Sequence, residues 1–253
     1  MNWPTGTTLA GKVALVTGGS RGIGAATVRA LAAQGAAVAL SYADSADRAE
    51  ALAADLRHAG TQATAYRADQ ADPRQVSDLV QAVAADFGRL DILVNNAATY
   101  VTGRVDDAEP DLARLDRQLA VNVGGVTAAV RAAARVLGPG GRIITVGSMQ
   151  ASRAGFAGVA DYAATKAAII GYTRGAARDL GPRGITVNVV QPGSVATDMN
   201  PPDGPFADVQ RAANAVGRFG RPEEIAAGIV FLAGPAASFI TGAVLDIDGG
   251  YLA

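Results

Sequence analysis

Apolar residues along this chain fall into two kinds of run. Short, nearly unbroken runs occupy 13–17 (VALVT), 37–42 (AVALSY), 63–67 (ATAYR), 91–95 (DILVN), 142–147 (RIITVG), 185–191 (ITVNVVQ) and 243–247 (AVLDI). Between them lie longer amphipathic stretches near 23–34, 46–58, 73–87, 111–137, 160–180 and 222–233, where apolar positions recur at helical spacing. Apolar runs without strict alternation suit strands buried on both faces. Strands separated by helices imply parallel pairing through right-handed crossovers. The pattern predicts one α/β domain over residues 1–253, a doubly wound parallel sheet of about seven strands with helices on both faces. Residues 199–217 (MNPPDGPFADVQRAANAVG) break the rhythm with prolines and glycines. They read as a mobile excursion that covers a substrate, not as a second domain.

In such a sheet, ligands bind beyond the carboxyl ends of the strands, where strand order reverses. Small polar residues and glycines collect at that edge. TGGSRGIG follows the first run, Asp69 the third, NNAA the fourth, Gly147-Ser148 the fifth and PGSVATD the sixth. The first of these, Thr17-Gly18-Gly19-Ser20-Arg21-Gly22-Ile23-Gly24, joins a strand to a helix. Gly18 allows a tight turn, Gly22 lets backbone approach a pyrophosphate, and Gly24 lets the helix pack on the strand. Free amides at the helix start then face the phosphates. This is the Rossmann-type arrangement for a dinucleotide. A glycine cluster alone is weak evidence, and its place between strand and helix gives it weight.

Tyr162-Ala163-Ala164-Thr165-Lys166 is the sharper signal. Residues four apart share a helix face. A phenol is a poor acid–base group at neutral pH unless a nearby cation stabilises its phenolate. Lys12 and Lys166 are the only lysines, beside twenty arginines. With six tyrosines, chance gives such a pair only about 5% of the time. The plain alternative is a surface tyrosine stacked on a lysine stem. Ser148 could hold a carbonyl oxygen as charge develops there, though a serine after a strand is more often a cap or turn residue. Asn122 lies in LAVNVGG, within a predicted helix where asparagine is a mediocre former. It could bend the helix, hold water and relay protons.

Composition narrows the chemistry. The absence of cysteine excludes disulfides, thiolate metal sites and cysteine nucleophiles. The single histidine, His58, ends a polar helix and reads as a surface residue. No metal site is expected. A net charge of −1 offers a polyanion no bulk attraction, so nucleic acid is not expected as a partner. No membrane-spanning stretch is evident. The opening MNWPTGTTLAGK lacks a basic segment followed by an apolar one, so no signal peptide is expected and the compartment defaults to the cytoplasm.

TGGSRGIG, Asp69, NNAA, Asn122, Ser148, Tyr162/Lys166 and PGSVATD, in that order, resemble the short-chain dehydrogenase/reductase family, in its 3-oxoacyl-reductase-like branch. The likeness runs from about residue 10 to the DGG near the end. The resemblance implies Tyr162 as catalytic acid/base, with Lys166 binding the nicotinamide ribose and tuning Tyr162. It implies Ser148 orienting the carbonyl and Asn122 anchoring a water-linked proton path. The cofactor would lie along Gly18, Ser20, Arg21, Gly22, Ile23 and Gly24, then Asn95 and Ala97, then Pro192 and Gly193. Asp69 would meet adenine; Val195 and Thr197 would meet the carboxamide. A homotetramer is implied as well. Two departures stand out: Ala98 replaces a glycine, and the loop between Ser148 and Tyr162 is one residue longer than usual. That loop should border the substrate.

Cofactor choice turns on the end of the second strand, where an acidic residue pairs with the ribose of NAD. Here the position is Tyr42, preceded by Ser41. Arg21, Ser41 and Ser45 could meet a 2′-phosphate, so NADPH/NADP+ is expected over NADH. Asp44, two residues on, is the contrary sign. The leading expectation is reduction of a ketone or aldehyde, a small carbonyl substrate with its alcohol as product. The alternatives are an NAD-dependent alcohol or sugar dehydrogenase, a nucleotide-binding regulator on the same scaffold, and an interaction subunit.

Overall fold

The structure, a computed structural model, describes residues 8–253; the expectation drawn from the first seven residues lies outside them. The strands are β1 (Val13–Val16), β2 (Ala37–Tyr42), β3 (Ala63–Arg67), β4 (Ile92–Asn95), β5 (Arg142–Val146), β6 (Thr186–Pro192) and β7 (Val244–Ile247). The helices are α1 (Gly22–Ala33), α2 (Ala46–His58), α3 (Pro73–Asp86), α4 (Leu112–Leu119), α5 (Val126–Val136), α6 (Ala160–Leu180), α7 (Ala207–Ala213) and α8 (Pro222–Ala233). The seven strands form one sheet in the order β3-β2-β1-β4-β5-β6-β7, and every pairing is parallel.

β1, β5 and β6 are buried at every position, which is why their sequences do not alternate. One face of the sheet packs Val28 and Leu31 of α1, Leu52 of α2 and Ile225 and Ile229 of α8. The other packs Val76 and Val80 of α3, Val130 of α5 and Ile169 of α6. Asp91 stitches the amino ends of β1 and β4. Its carboxylate accepts from the Val13 amide at 3.0 Å, from Arg89 at 2.6 and 2.8 Å and from Lys12 at 3.3 Å. Asp72 caps α3 by accepting from the amides of Arg74 and Gln75.

Two elements differ from the sequence reading. The predicted helix 111–137 is continuous from Leu112 to Val136, but its middle, Ala120–Gly125, is a π-helical turn between α4 and α5. By length and a mean hydropathy of 1.2 this helix could cross a bilayer. That corrects the expectation that no such stretch exists, although here its inner side packs on α3 and α6. The excursion 199–217 is also more ordered than expected. It contains α7, whose Gln210 exchanges reciprocal amide bonds with Asn200 at 2.9 and 3.1 Å, and the Asn200 backbone amide in turn donates to Thr197. At its far end the Val216 amide donates to Gly249.

Sheet order reverses between β1 and β4. Their carboxyl ends therefore diverge into a crevice, and the residues after β1, β4, β5 and β6 gather around it.

Candidate active site

The turn after β1 is shaped by what a side chain would strike. Gly18 has φ +61°, and a Cβ there would lie 2.9 Å from the Ala97 Cα. A Cβ on Gly24 would collide with the Gly18 carbonyl oxygen. Gly22 faces Thr197 across the groove. Arg21 is the N-cap of α1 and makes no side-chain cap bond, and the first turn holds no acidic residue. The amides opening α1 are thus uncapped and carry the positive end of the helix dipole. An anion such as a pyrophosphate fits this cradle. Ile23 packs on the core beneath it, and Ser20 is half-buried in the turn.

Side chains from β2 and β4 hold the turn in place. Ser41 is buried, and its hydroxyl accepts from the Gly18 amide at 3.3 Å. Its bond is thus made to the turn itself. Asn96 donates to the carbonyls of Thr17 and Gly18 at 3.0 and 2.9 Å. The Thr17 hydroxyl accepts from the amides of Asn96 and Ala97 at 3.0 and 3.1 Å. Asn95, the last residue of β4, is buried and donates to Thr145 of β5 at 3.2 Å. Sequence reasoning missed Asn96; an asparagine doublet directly after a buried strand was the available signal.

Beyond β2, Tyr42 is half-buried and Ser45 begins α2 without a side-chain cap bond. Asp44 is exposed, on the wall of a cavity of about 290 Å³ shared with Arg67, Asp69 and Arg117. Burial opposes ionisation of Asp69, but the Ala71 amide and the Arg117 guanidinium hold its carboxyl below the usual range. After β6, the Gly193 amide donates to Ile247, Val195 is buried, and the Thr197 hydroxyl accepts from the Asn200 amide. Pro192 closes β6 at the same edge.

Tyr162 and Lys166 share the inward face of α6, and both are buried. Burial pushes the Tyr162 phenol up to about 12, against a hydrogen bond from Ser148 that favours its ionised form. Burial pulls the Lys166 ammonium down to about 8. The lysine was expected to lower the tyrosine; here its Nζ donates to the Val146 carbonyl at 2.9 Å and stands 5.8 Å from the phenol ring centroid. Ser148 is the cap residue expected of a serine after a strand: its hydroxyl caps a short 3-10 turn by accepting from the Gln150 amide at 3.2 Å, and it lies close enough to Tyr162 to favour the ionised phenol. Asn122 sits inside the π-helical turn. Its Oδ1 accepts from the Thr99 amide at 2.9 Å, and its Nδ2 donates to the Thr99 carbonyl at 2.9 Å and the Thr165 hydroxyl at 3.1 Å. It thereby locks the segment after β4 to α6.

Tyr100 completes the wall. Its ring meets that of Tyr162 edge-on at 4.8 Å. Gln118 holds the next residue, accepting from the Val101 amide at 2.7 Å. His58 is exposed at the end of α2. Among the described residues, no group of three or more histidines and carboxylates is placed to hold a metal.

A family model described as enoyl-(acyl carrier protein) reductase matches residues 18–252. The chain belongs to the short-chain dehydrogenase/reductase family. This short-chain dehydrogenase/reductase is 46% identical to the cyclic-di-GMP-binding biofilm dispersal mediator protein of Escherichia coli, over 95% of its own length and 97% of that protein's. It is 40% identical to the 3-oxoacyl-[acyl-carrier-protein] reductase of Synechocystis, covering 96% and 98% of the two chains. A short-chain dehydrogenase from Burkholderia cenocepacia, solved in complex with NADP, superposes with a TM-score of 0.95 at 53% identity. That match covers 97% of this short-chain dehydrogenase/reductase and all (100%) of the other chain.

Proposed function

We propose that this protein reversibly transfers hydride between NADPH and a ketone or aldehyde, with Tyr162 as the acid/base. One observation carries the reading: a tyrosine and a lysine are buried together on one face of α6, with Ser148 near enough to the phenol to favour its ionised form. NADPH, when bound, supplies the hydride. The Ser148 hydroxyl donates to the substrate oxygen, and Tyr162 gives that oxygen its proton as negative charge develops. Ser148 and the Lys166 ammonium then stabilise the phenolate. Lys166 and the Asn122 region return a proton from water. The uncapped start of α1 holds the pyrophosphate, and Arg21 meets the adenosine ribose.

Tyr162→Phe is the test. Turnover should fall by at least about 10²–10⁴-fold, while the dissociation constant for NADPH changes little, because the ring still packs. Wild-type turnover in this variant would overturn the mechanism. NADPH is favoured over NADH because β2 ends without a carboxylate at Tyr42 and the Arg21 guanidinium is only loosely held, 3.8 Å from Asp198. A charge-assisted contact is worth about 1.5–3 kcal/mol, so Arg21→Ala should shrink the NADPH-to-NADH ratio of kcat/KM by about ten-fold. An unchanged ratio would remove Arg21 from the assignment.

A second reading is a regulator that signals nucleotide occupancy, favoured by the relative named for cyclic-di-GMP binding. Burying a lysine and a tyrosine opposes their ionised forms and gives a pure binder nothing, which supports the enzyme. Reduced cofactor mixed with a ketone panel separates the two. Tight binding of another nucleotide without any carbonyl turnover would favour the regulator.

A further inference from the structure

With Arg21 given to the cofactor, one neighbouring arginine, Arg114, is left without a task. A cavity of about 360 Å³ opens beside Tyr100, whose ring contacts Tyr162. Three guanidiniums line it, those of Arg21, Arg114 and Arg117, against one carboxylate, Asp198. The chain as a whole carries −1, so this excess is local. Two of the three are engaged. Arg21 lies 3.8 Å from Asp198, which Arg48 approaches to 2.7 Å, and Arg117 grips Asp69 at 3.1 Å. Arg114 differs: its backbone amide donates to Asp111 at 3.1 Å, and among the described residues its guanidinium has no ion-pair partner. The same lining holds the apolar side chains of Val101 and Met199.

We propose that Arg114 is a specificity-determining residue that anchors an anionic group, carboxylate or phosphate, carried by the carbonyl substrate away from its reacting carbon. The proposal rests on the oxidoreductase reading above. Arg114 is exposed, so a neutral ketone would leave its guanidinium to water alone, whereas a keto acid would meet it. A guanidinium suits either anion through paired N–H donors.

The test compares 5-oxohexanoate, its methyl ester and the phosphate ester of 5-hydroxypentan-2-one, with NADPH, in wild type, Arg114→Gln, Arg114→Lys and Arg131→Gln. The acid-to-ester ratio of kcat/KM should fall about 5- to 10-fold in Arg114→Gln, through KM rather than kcat. Arg114→Lys should recover part of it, and the ratio should decline as salt rises. Arg131 is exposed on α5, outside the cavity lining, and Arg131→Gln should keep the wild-type ratio. The larger loss, on acid or on phosphate ester, names the anion. Equal loss on acid and ester, or no change on either, overturns the proposal. If wild type reduces none of the three, the reaction reading fails by itself. Calorimetric binding of 5-oxohexanoate to the NADP+-loaded protein, wild type against Arg114→Gln, then decides Arg114, with equal affinities overturning it.

Discussion

Tyr162 and Lys166 respond in opposite directions to one cause. Burial disfavours both charged forms, so the phenol rises to about 12 and the ammonium falls to about 8. For the lysine this has a stability consequence. Below about pH 8 both folded and unfolded chains carry the ammonium, and the folded chain bears its full desolvation. Between about 8 and the ordinary 10.5 the unfolded chain keeps a proton that the folded chain has released, so stability rises with pH. Lys166→Met should therefore abolish turnover yet stabilise the cofactor-free protein by about 1–3 kcal/mol at neutral pH, or several degrees in Tm. The gain should shrink as pH passes from 8 to 10.5. A variant less stable than wild type at pH 7 would show that the bond to Val146 outweighs desolvation. Residue pairings were legible where partners are close in sequence, as with Tyr162 and Lys166, four apart and buried on one face of α6. Asn96 against Thr17, Gln118 against Val101 and Arg48 against Asp198 were not, because those contacts close over 79, 17 and 150 residues. Only the folded chain brings them together.

Periodicity located the long elements because a face packed on a sheet must repeat its apolar positions. It did not show the change of register inside 112–136. A π-helical turn adds one residue to a turn, and Val121, Asn122 and Val123 read as well in either register. Asparagine's weakness as a helix former marked the spot but not the geometry. Nor did periodicity show α7, whose seven residues are too few to establish a repeat. That helix bears on the excursion 199–217, which we propose closes over bound substrate. Its two ends are anchored, by the Asn200 backbone amide to Thr197 and by the Val216 amide to Gly249, while Met199, Phe206 and Val209 are left exposed. Exposed apolar residues on an anchored segment at the ligand edge favour a hinged cover over a loose loop. Amide hydrogen exchange over 199–217 should slow with NADP+ and a product alcohol present. Exchange that is the same with and without them would argue for an ordinary surface excursion.

At the scale of the molecule, the unpartnered surfaces set the last expectation, a homotetramer. The outward face of α6 presents Ala164, Ala167, Ala168, Gly171 and Gly175, all exposed. A Cβ at Gly171 or Gly175 would meet nothing within 4 Å. Such a face lets a second helix approach closely. At the edge of the sheet, β7 pairs with β6 alone, and its apolar residues are only half-buried. Nearby Phe239 is fully exposed at 102% and Phe231 at 48%. An uncovered edge strand beside exposed aromatics is a surface that seeks another chain. The two surfaces are on different elements, so each can form its own two-fold contact. Two distinct self-complementary contacts in one chain generate a closed dihedral tetramer. Gly171→Glu should then remove one contact and Phe239→Glu the other, each leaving a dimer, and the double variant should be monomeric. Light scattering at micromolar concentration reads all four states. A wild type that scatters as a monomer, or single variants that remain tetrameric, would rule out this assembly.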